Sequence, residues 1–357
     1  MTNCCDNPTV RQGLEDVQFI SRGVSRRAVL KRMAGLAAGA TALSALPSAS
    51  FSADSESVKL AFCSQLLCVV PYEATRAAGF FAEQGLDVEL VYTRGGSAAL
   101  QALNSGAVDY AATSFDAALN AFSNGADITR FATTGRLPLF ALASSPQQAD
   151  TIRDIGDLEG RTVGVAQLGN SDHALTLYLL ERSGIDPDSV QFATLGPNLF
   201  DALRMGQVDA GMVQEPGLTL LQEDGARVIV NLMESDDAEK YLGGAYEFMG
   251  VSVRPDEVEQ RREQMRKLGR ALAAGLEYVQ QAPVDDIIEA LPEELVAGGD
   301  TDVLADALGR YRASLYPTQV AIERDACERV MEAHLMAGIQ DEAADLNALL
   351  NLNVIDS

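Results

Sequence analysis

The chain offers few groups that could make or break a bond. Its 357 residues include two histidines, His173 and His334. No Walker phosphate loop, Gly-x-Ser-x-Gly elbow or His-Glu-x-x-His motif occurs, and no cofactor is implied. The residues that can act are small and polar, placed where a strand gives way to a helix. Gln167-Leu168-Gly169-Asn170-Ser171-Asp172-His173 is the most informative of these junctions. Gly169 lets a ligand approach the backbone, and Asn170 or Ser171 can cap the helix. The unpaired N–H groups and positive dipole of a helix start make a ready anion site. The same field disfavours an imidazolium, so His173 is expected neutral, as a donor or shape element.

Other junctions share that character. Gly95-Gly96-Ser97 opens a helix, and Thr113-Ser114 ends a buried strand. Gln65 lies in the loop from Ser64 to Tyr72, after the first strand. Gln214-Glu215-Pro216 is the counterpart of Ser114-Phe115-Asp116. Serine and glycine are common in loops. The argument is the shared location at strand carboxyl ends, where open α/β sheets bind ligands. Tyr72, Phe115, Tyr246 and Phe248 could supply aromatic walls. The candidate ligand-binding set is Gln65, Tyr72, Ser97, Ser114, Gly169, Asn170, Ser171, His173, Glu215 and Tyr246, with no catalytic or metal-ligating residue. His334, seven residues after Cys327 on an apolar helix face, reads as a structural core-edge histidine.

Short apolar strands alternating with helical stretches position these residues. Strands are expected at 58–62, 87–92, 108–112, 161–165, 190–194 and 208–212. Helices are expected at 71–83, 97–103, 171–182 and 199–205. That rhythm implies mostly parallel sheets flanked by helices. It also repeats at an offset of 100: seven of 26 positions are identical between 101–126 and 201–226, among them Gly106/Gly206 and Asp109/Asp209. Two similar α/β lobes follow. The apolar segments 137–143 and 248–253 read as crossover strands between them. After Arg254, Val258, Met265, Leu268, Leu272, Leu276 and Val279 form one helical stripe. Further helices are expected at 284–291, 301–315 and 317–337, packed back on the first lobe.

The N-terminus reads as an export signal. Ser25-Arg26-Arg27-Ala28-Val29-Leu30-Lys31 precedes an uncharged run, Met33 to Leu46, and then small residues up to Ala53. Paired arginines point to the twin-arginine route, with cleavage between Ala49 and Ala53. The run is short of the ~20 residues that span a bilayer. Residues 1–53 hold six Lys/Arg and three Asp/Glu, so the remainder carries a formal charge of −27 against −24 for the whole chain. Such acidity repels nucleic acid and anionic lipid. Cys63, Cys68 and Cys327 remain after the signal. An odd count leaves at least one thiol, and unpaired, partly buried thiols are favoured over a Cys63–Cys68 bridge.

Taken together, Pro71-Tyr72-x5-Ala78-Gly79-Phe80-Phe81-x3-Gly85-Leu86-Asp87-Val88, Gly95-Gly96-Ser97-Ala98-Ala99, Ser105-Gly106-Ala107-Val108-Asp109, Asp157-Leu158-Glu159-Gly160-Arg161-Thr162-Val163-Gly164-Val165, Gly169-x-Ser171-x-His173 and Gly206-Gln207-Val208-Asp209-Ala210 with Glu215-Pro216 resemble the nitrate/sulfonate/taurine (NMT1-like) group of ABC-transporter substrate-binding proteins. The resemblance spans about residues 58–253. It implies a bilobal, periplasmic-binding-protein-like (type II) α/β fold with a cleft between its lobes and a helical C-terminal region. Residues 54–140 and 250–357 would form lobe 1, and 141–249 lobe 2. It further implies a periplasmic monomer that closes over a solute and delivers it to a membrane permease, with Ser97, Ser114, Ser171 and the backbone near Gly169 lining the cleft. The loop Cys63-Ser64-Gln65-Leu66-Leu67-Cys68-Val69-Val70 departs from the sulfonate, taurine and pyrimidine-binding patterns, so the solute is not set by resemblance. Helix starts and Arg94 or Arg136 favour an anion, a sulfonate or carboxylate. The alternatives are an enzyme of the related pyrimidine-synthesis type, with His173 reactive, and a sensory binding protein. Export argues against the enzyme, because such biosynthesis is cytoplasmic.

Overall fold

A computed structural model describes residues 55–63, 66–293 and 301–355. The export signal and Gln65 lie outside the described residues. β1 (Glu56–Cys63) leads into α1 (Leu66–Ala77), α2 (Phe80–Glu83) and β2 (Leu86–Thr93). Next come α3 (Gly96–Asn104), β3 (Tyr110–Ser114), α4 (Phe115–Ser123) and β4 (Thr129–Thr133). The chain crosses through β5 (Ala141–Ser144) and repeats the pattern. The second pass holds β6 (Thr162–Val165), α5 (Ser171–Arg182), β7 (Gln191–Thr194), α6 (Leu199–Arg204), β8 (Ala210–Val213), α7 (Gly217–Glu223), β9 (Val228–Asn231) and α8 (Ser235–Leu242). β10 (Met249–Val253) returns. Then follow α9 (Val258–Gln281), α10 (Val284–Ala290), α11 (Thr301–Leu315), α12 (Arg324–Met336) and α13 (Leu346–Leu349).

The strands form two five-stranded sheets, ordered β2-β1-β3-β10-β4 and β7-β6-β8-β5-β9. β1 is parallel to β2 and β3, and β6 to β7 and β8. β10 runs antiparallel to β3 and β4, as β5 does to β8 and β9. The reversed strand of each mixed sheet is thus an expected crossover segment, which enters from the other half of the chain. The repeat has a visible mechanical basis. Gly106 and Gly206 take φ of 75° and 68°, a left-handed turn that favours glycine. Beyond each turn an aspartate clamps the neighbouring strand. Asp109 Oδ2 accepts from Lys59 N at 2.7 Å, and Asp209 Oδ2 from Thr162 N at 2.9 Å.

Two helices begin elsewhere than the sequence predicts. α1 starts at Leu66 and carries Pro71 inside it. Proline removes one helical donor, which would leave the Leu67 carbonyl unserved. The buried Tyr316 hydroxyl donates to that carbonyl at 2.7 Å. α12 starts at Arg324 rather than near 317, because the chain after Tyr316 first runs beside β4, with Thr133 N donating to Val320 O at 2.9 Å. The apolar stripe of α9 is buried as expected, and α9 packs on α1 and α2. The later helices do not serve the first lobe alone. α12 touches both α4 and α5, and α11 reaches α7. Among the described residues no helix is long and apolar enough to cross a membrane.

Candidate ligand-binding site

The two sheets present their strand ends to each other through two helix starts. β3 hands over to α4 at Ser114, whose Oγ caps the helix by accepting from Ala117 N at 3.2 Å. β6 hands over to α5 through the segment expected to bind ligand. Gly169 sits at φ 81°, where a side chain would be strained. Its N–H turns back to donate to His173 Nδ1 at 3.2 Å. A backbone N–H can only donate, so His173 Nδ1 bears a lone pair and Nε2 carries the proton. Burial lowers the imidazole pKa in the same sense, and the neutral ring expected from sequence is what the geometry requires. The ring stands edge-on to Phe192, with centroids 4.7 Å apart. Asn170 holds the N-cap position with extended backbone and no side-chain cap bond. Ser171 Oγ donates to Ser114 Oγ at 3.0 Å, a direct bond between the two lobes.

A cluster of buried polar groups lies beside that bond. Asp116, in the first turn of α4, is 1% exposed. Its Oδ1 receives the Tyr246 hydroxyl at 2.9 Å and pairs with His334 Nε2 at 3.1 Å. Its Oδ2 has no hydrogen-bond partner among the described residues. Across the interface Asp172, in the first turn of α5, is 2% exposed. Its Oδ2 accepts from Ala166 N, while Oδ1 likewise has no partner. Burial pushes the Asp172 carboxyl up to about 6, and Asp116 adds to the rise, against backbone N–H groups that hold it back. Burial and then Asp116 also raise the Tyr246 phenol well above its usual range. His334 is therefore not at the core edge. It is fully buried and helps to fix Asp116.

Beneath α4 lies a charge that the sequence reading missed. Arg130, fully buried, donates to Glu247 Oε1 at 3.1 Å, to the Phe248 carbonyl at 3.3 Å and to the Thr113 carbonyl at 2.6 Å. Its guanidinium also covers the Phe115 ring at 5.1 Å. It ties β3, β4 and the chain leading to β10 into one floor for the helix start. The available signal was a charge inside the otherwise uncharged strand Thr129–Thr133.

Several expected site residues serve other partners. Tyr72 is fully buried, stacked on Phe62 and bonded to Thr134 Oγ1 at 2.7 Å. Phe115 and Phe248 are core residues rather than open walls. Ser97 lies exposed in the first turn of α3. Glu215 accepts from Thr219 N at 3.0 Å and Thr219 Oγ1 at 3.1 Å, so it caps α7. Burial raises its carboxyl. Arg136 donates to the Ser314 and Ala313 carbonyls at the end of α11. Cys63 and Cys68 are both buried and form no disulfide; their thiols hydrogen-bond each other.

Two α/β lobes, joined by crossover strands and meeting at the helix starts that follow their strand ends, define the bilobal class that clamps a solute between lobes. The NMT1/THI5-like family model matches residues 69–286, and the chain belongs to that family. "Putative binding protein YtlA" of Bacillus subtilis (strain 168) is 22% identical over 321 residues, 84% of this chain and 89% of that protein. A solved structure from Bordetella bronchiseptica RB50 is 25% identical, with a TM-score of 0.73 over 84% of this chain and 96% of its own. The periplasmic aliphatic sulphonate binding protein SsuA of Escherichia coli is 18% identical, with a TM-score of 0.66 over 82% and 91% of the two chains. That likeness shows the fold: the periplasmic-binding-protein fold.

Proposed function

We propose that this chain is a non-catalytic solute receptor. It captures a small organic solute between its lobes and delivers it to the permease of an ABC importer. The observation that carries this reading is the Ser171–Ser114 bond, which joins the helix starts of the two lobes at their strand ends. Closure that makes such a bond also assembles groups from both lobes around whatever lies between them. Residues 1–53 would direct the chain to the periplasm by the twin-arginine route, and the exported part would act as a monomer. Lobe 1 would comprise 54–140 with 250–357, and lobe 2 141–249. Ser114, Gly169, Asn170, Ser171, His173 and Tyr246 are the cleft residues we retain from the sequence set, joined by Asp116 and Asp172.

The sequence favours an anionic solute because helix starts attract anions. At this edge the chain supplies its own carboxylates to those starts: Asp116 on α4, Asp172 on α5 and Glu215 at the cap of α7. The support for a sulfonate or carboxylate is correspondingly weaker. The capture reading is tested by thermal unfolding of the exported domain against a panel of amines, sulfonates, carboxylates and heterocycles. A true ligand at 100 times its Kd stabilises by about 2.7 kcal/mol. A panel without a single stabilising member counts against capture. Replacing Arg26-Arg27 by a Lys pair should stop export; undiminished export would remove the twin-arginine reading.

A further inference from the structure

We propose that the solute presents a positively charged, N–H-bearing group, a protonated amine or an amidinium, to Asp116 Oδ2 and Asp172 Oδ1, one carboxylate from each lobe. This rests on the solute-capture reading and names the chemistry of that same site. Both oxygens are acceptors in residues at most 2% exposed, and neither has a hydrogen-bond partner among the described residues. A buried acceptor left unsatisfied is costly, and a buried charge more so. In each carboxyl group the other oxygen already has its partner. Asp116 Oδ1 takes the Tyr246 hydroxyl and pairs with His334 Nε2, and Asp172 Oδ2 takes Ala166 N just past the end of β6. Asp116 lies two residues past Ser114 and Asp172 one past Ser171, and Asp116 raises the Asp172 carboxyl; a cation between the two groups relieves that repulsion.

The partner must therefore bring donors and positive charge, and an ammonium or amidinium brings both. A metal ion fits less well, since no grouping of three or more His, Cys, Asp or Glu able to hold one occurs among the described residues. An anion fits worst, because it would meet Asp116 and Asp172 in the first turns of α4 and α5. Division of the pair between lobes makes recognition depend on closure. The cation is gripped from both sides only once Ser171 has met Ser114.

The test is calorimetric titration of the exported domain with primary alkylamines, alkylguanidines, tetraalkylammonium salts, alkanesulfonates and alkylcarboxylates of matched chain length. Asp116→Asn and Asp172→Asn variants are titrated in parallel, with their folding checked by circular dichroism and thermal unfolding. Asp172→Asn removes a charge that burial penalises, so it should fold at least as stably as the parent. Amines or guanidines should bind at least tenfold more tightly than the matched anions. Tetraalkylammonium, which has charge but no N–H, should bind more weakly than either. Each Asn variant should lose at least tenfold in amine affinity. A preference for anions, or amine affinity unchanged in both variants, overturns the proposal and leaves solute capture standing. Binding by no class of solute overturns the capture reading and this proposal with it.

Discussion

Asp109 and Asp209 stand 100 residues apart and do the same work: each follows a left-handed glycine and clamps the N–H of the neighbouring strand. A few residues onward the two lobes part company. Lobe 1 continues with Ser114, Phe115 and Asp116, lobe 2 with Gln214, Glu215 and Pro216. Farther along, Arg130 and Val230 occupy matching strands, one binding three oxygens beneath α4 and the other packing as a buried apolar side chain. What repeats is the framework that sets strand register. What differs lies at or under the strand ends, where the lobes meet.

Installing the second lobe's residue in the first should have the largest effect. Arg130→Val leaves Glu247 buried and unpaired, and should cost about 3–5 kcal/mol in denaturant unfolding. A loss under about 1 kcal/mol would show that the floor of α4 is not held by this charge. The next effect runs in the opposite direction. In the folded chain Asp172 is raised from 3.8 to about 6, so its ionised form is penalised there. Its contribution to stability is greatest below about pH 4 and falls as the pH rises toward 6. Asp172→Asn should therefore gain up to about 3 kcal/mol at neutral pH and flatten the stability profile between those pH values. A loss at neutral pH would mean that the bond from Ala166 N outweighs the charge. Asp116, across the interface, raises the Asp172 carboxyl further. A bound amine should accordingly lower its pKa, and amine affinity should weaken below about pH 6.

The framework pair should respond alike. Asp109→Ala and Asp209→Ala each leave a strand N–H unserved and should cost about 1–2 kcal/mol. Asp109 should be the larger, because it also pairs with Arg261 at 2.8 Å. A severe loss at one position with none at the other would break the equivalence of the lobes. Ser171→Ala should be the mildest, under about 1 kcal/mol in stability, with a few-fold loss of affinity for every solute alike. A change confined to one class of solute would give Ser171 a direct role in recognition instead.

The framework was legible in the sequence because local signals write it. Strand alternation, turn glycines and an offset of 100 residues all lie within short windows, and the crossover strands 137–143 and 248–253 stood out as apolar runs. The strand end at Thr113-Ser114 and the helix start at Ser171 were legible for the same reason. The polar cluster was not. Asp116 meets Tyr246 across 130 positions and His334 across 218, and no local pattern announces such a meeting. His334 therefore read as a bystander, and Glu215 as a cleft residue although its cap bonds turn it toward α7. Pro71 read as a helix start because the hydroxyl that excuses it inside α1 comes from Tyr316, 249 positions away from the carbonyl it serves.

Native mass spectrometry of the protein purified from the compartment to which it is exported tests the central claim most directly. The account predicts a small molecule of defined mass that leaves on denaturation, carries an N–H cation, and is retained less by Asp116→Asn and Asp172→Asn. A bare chain that also takes up no solute from the panel would contradict the account at its root.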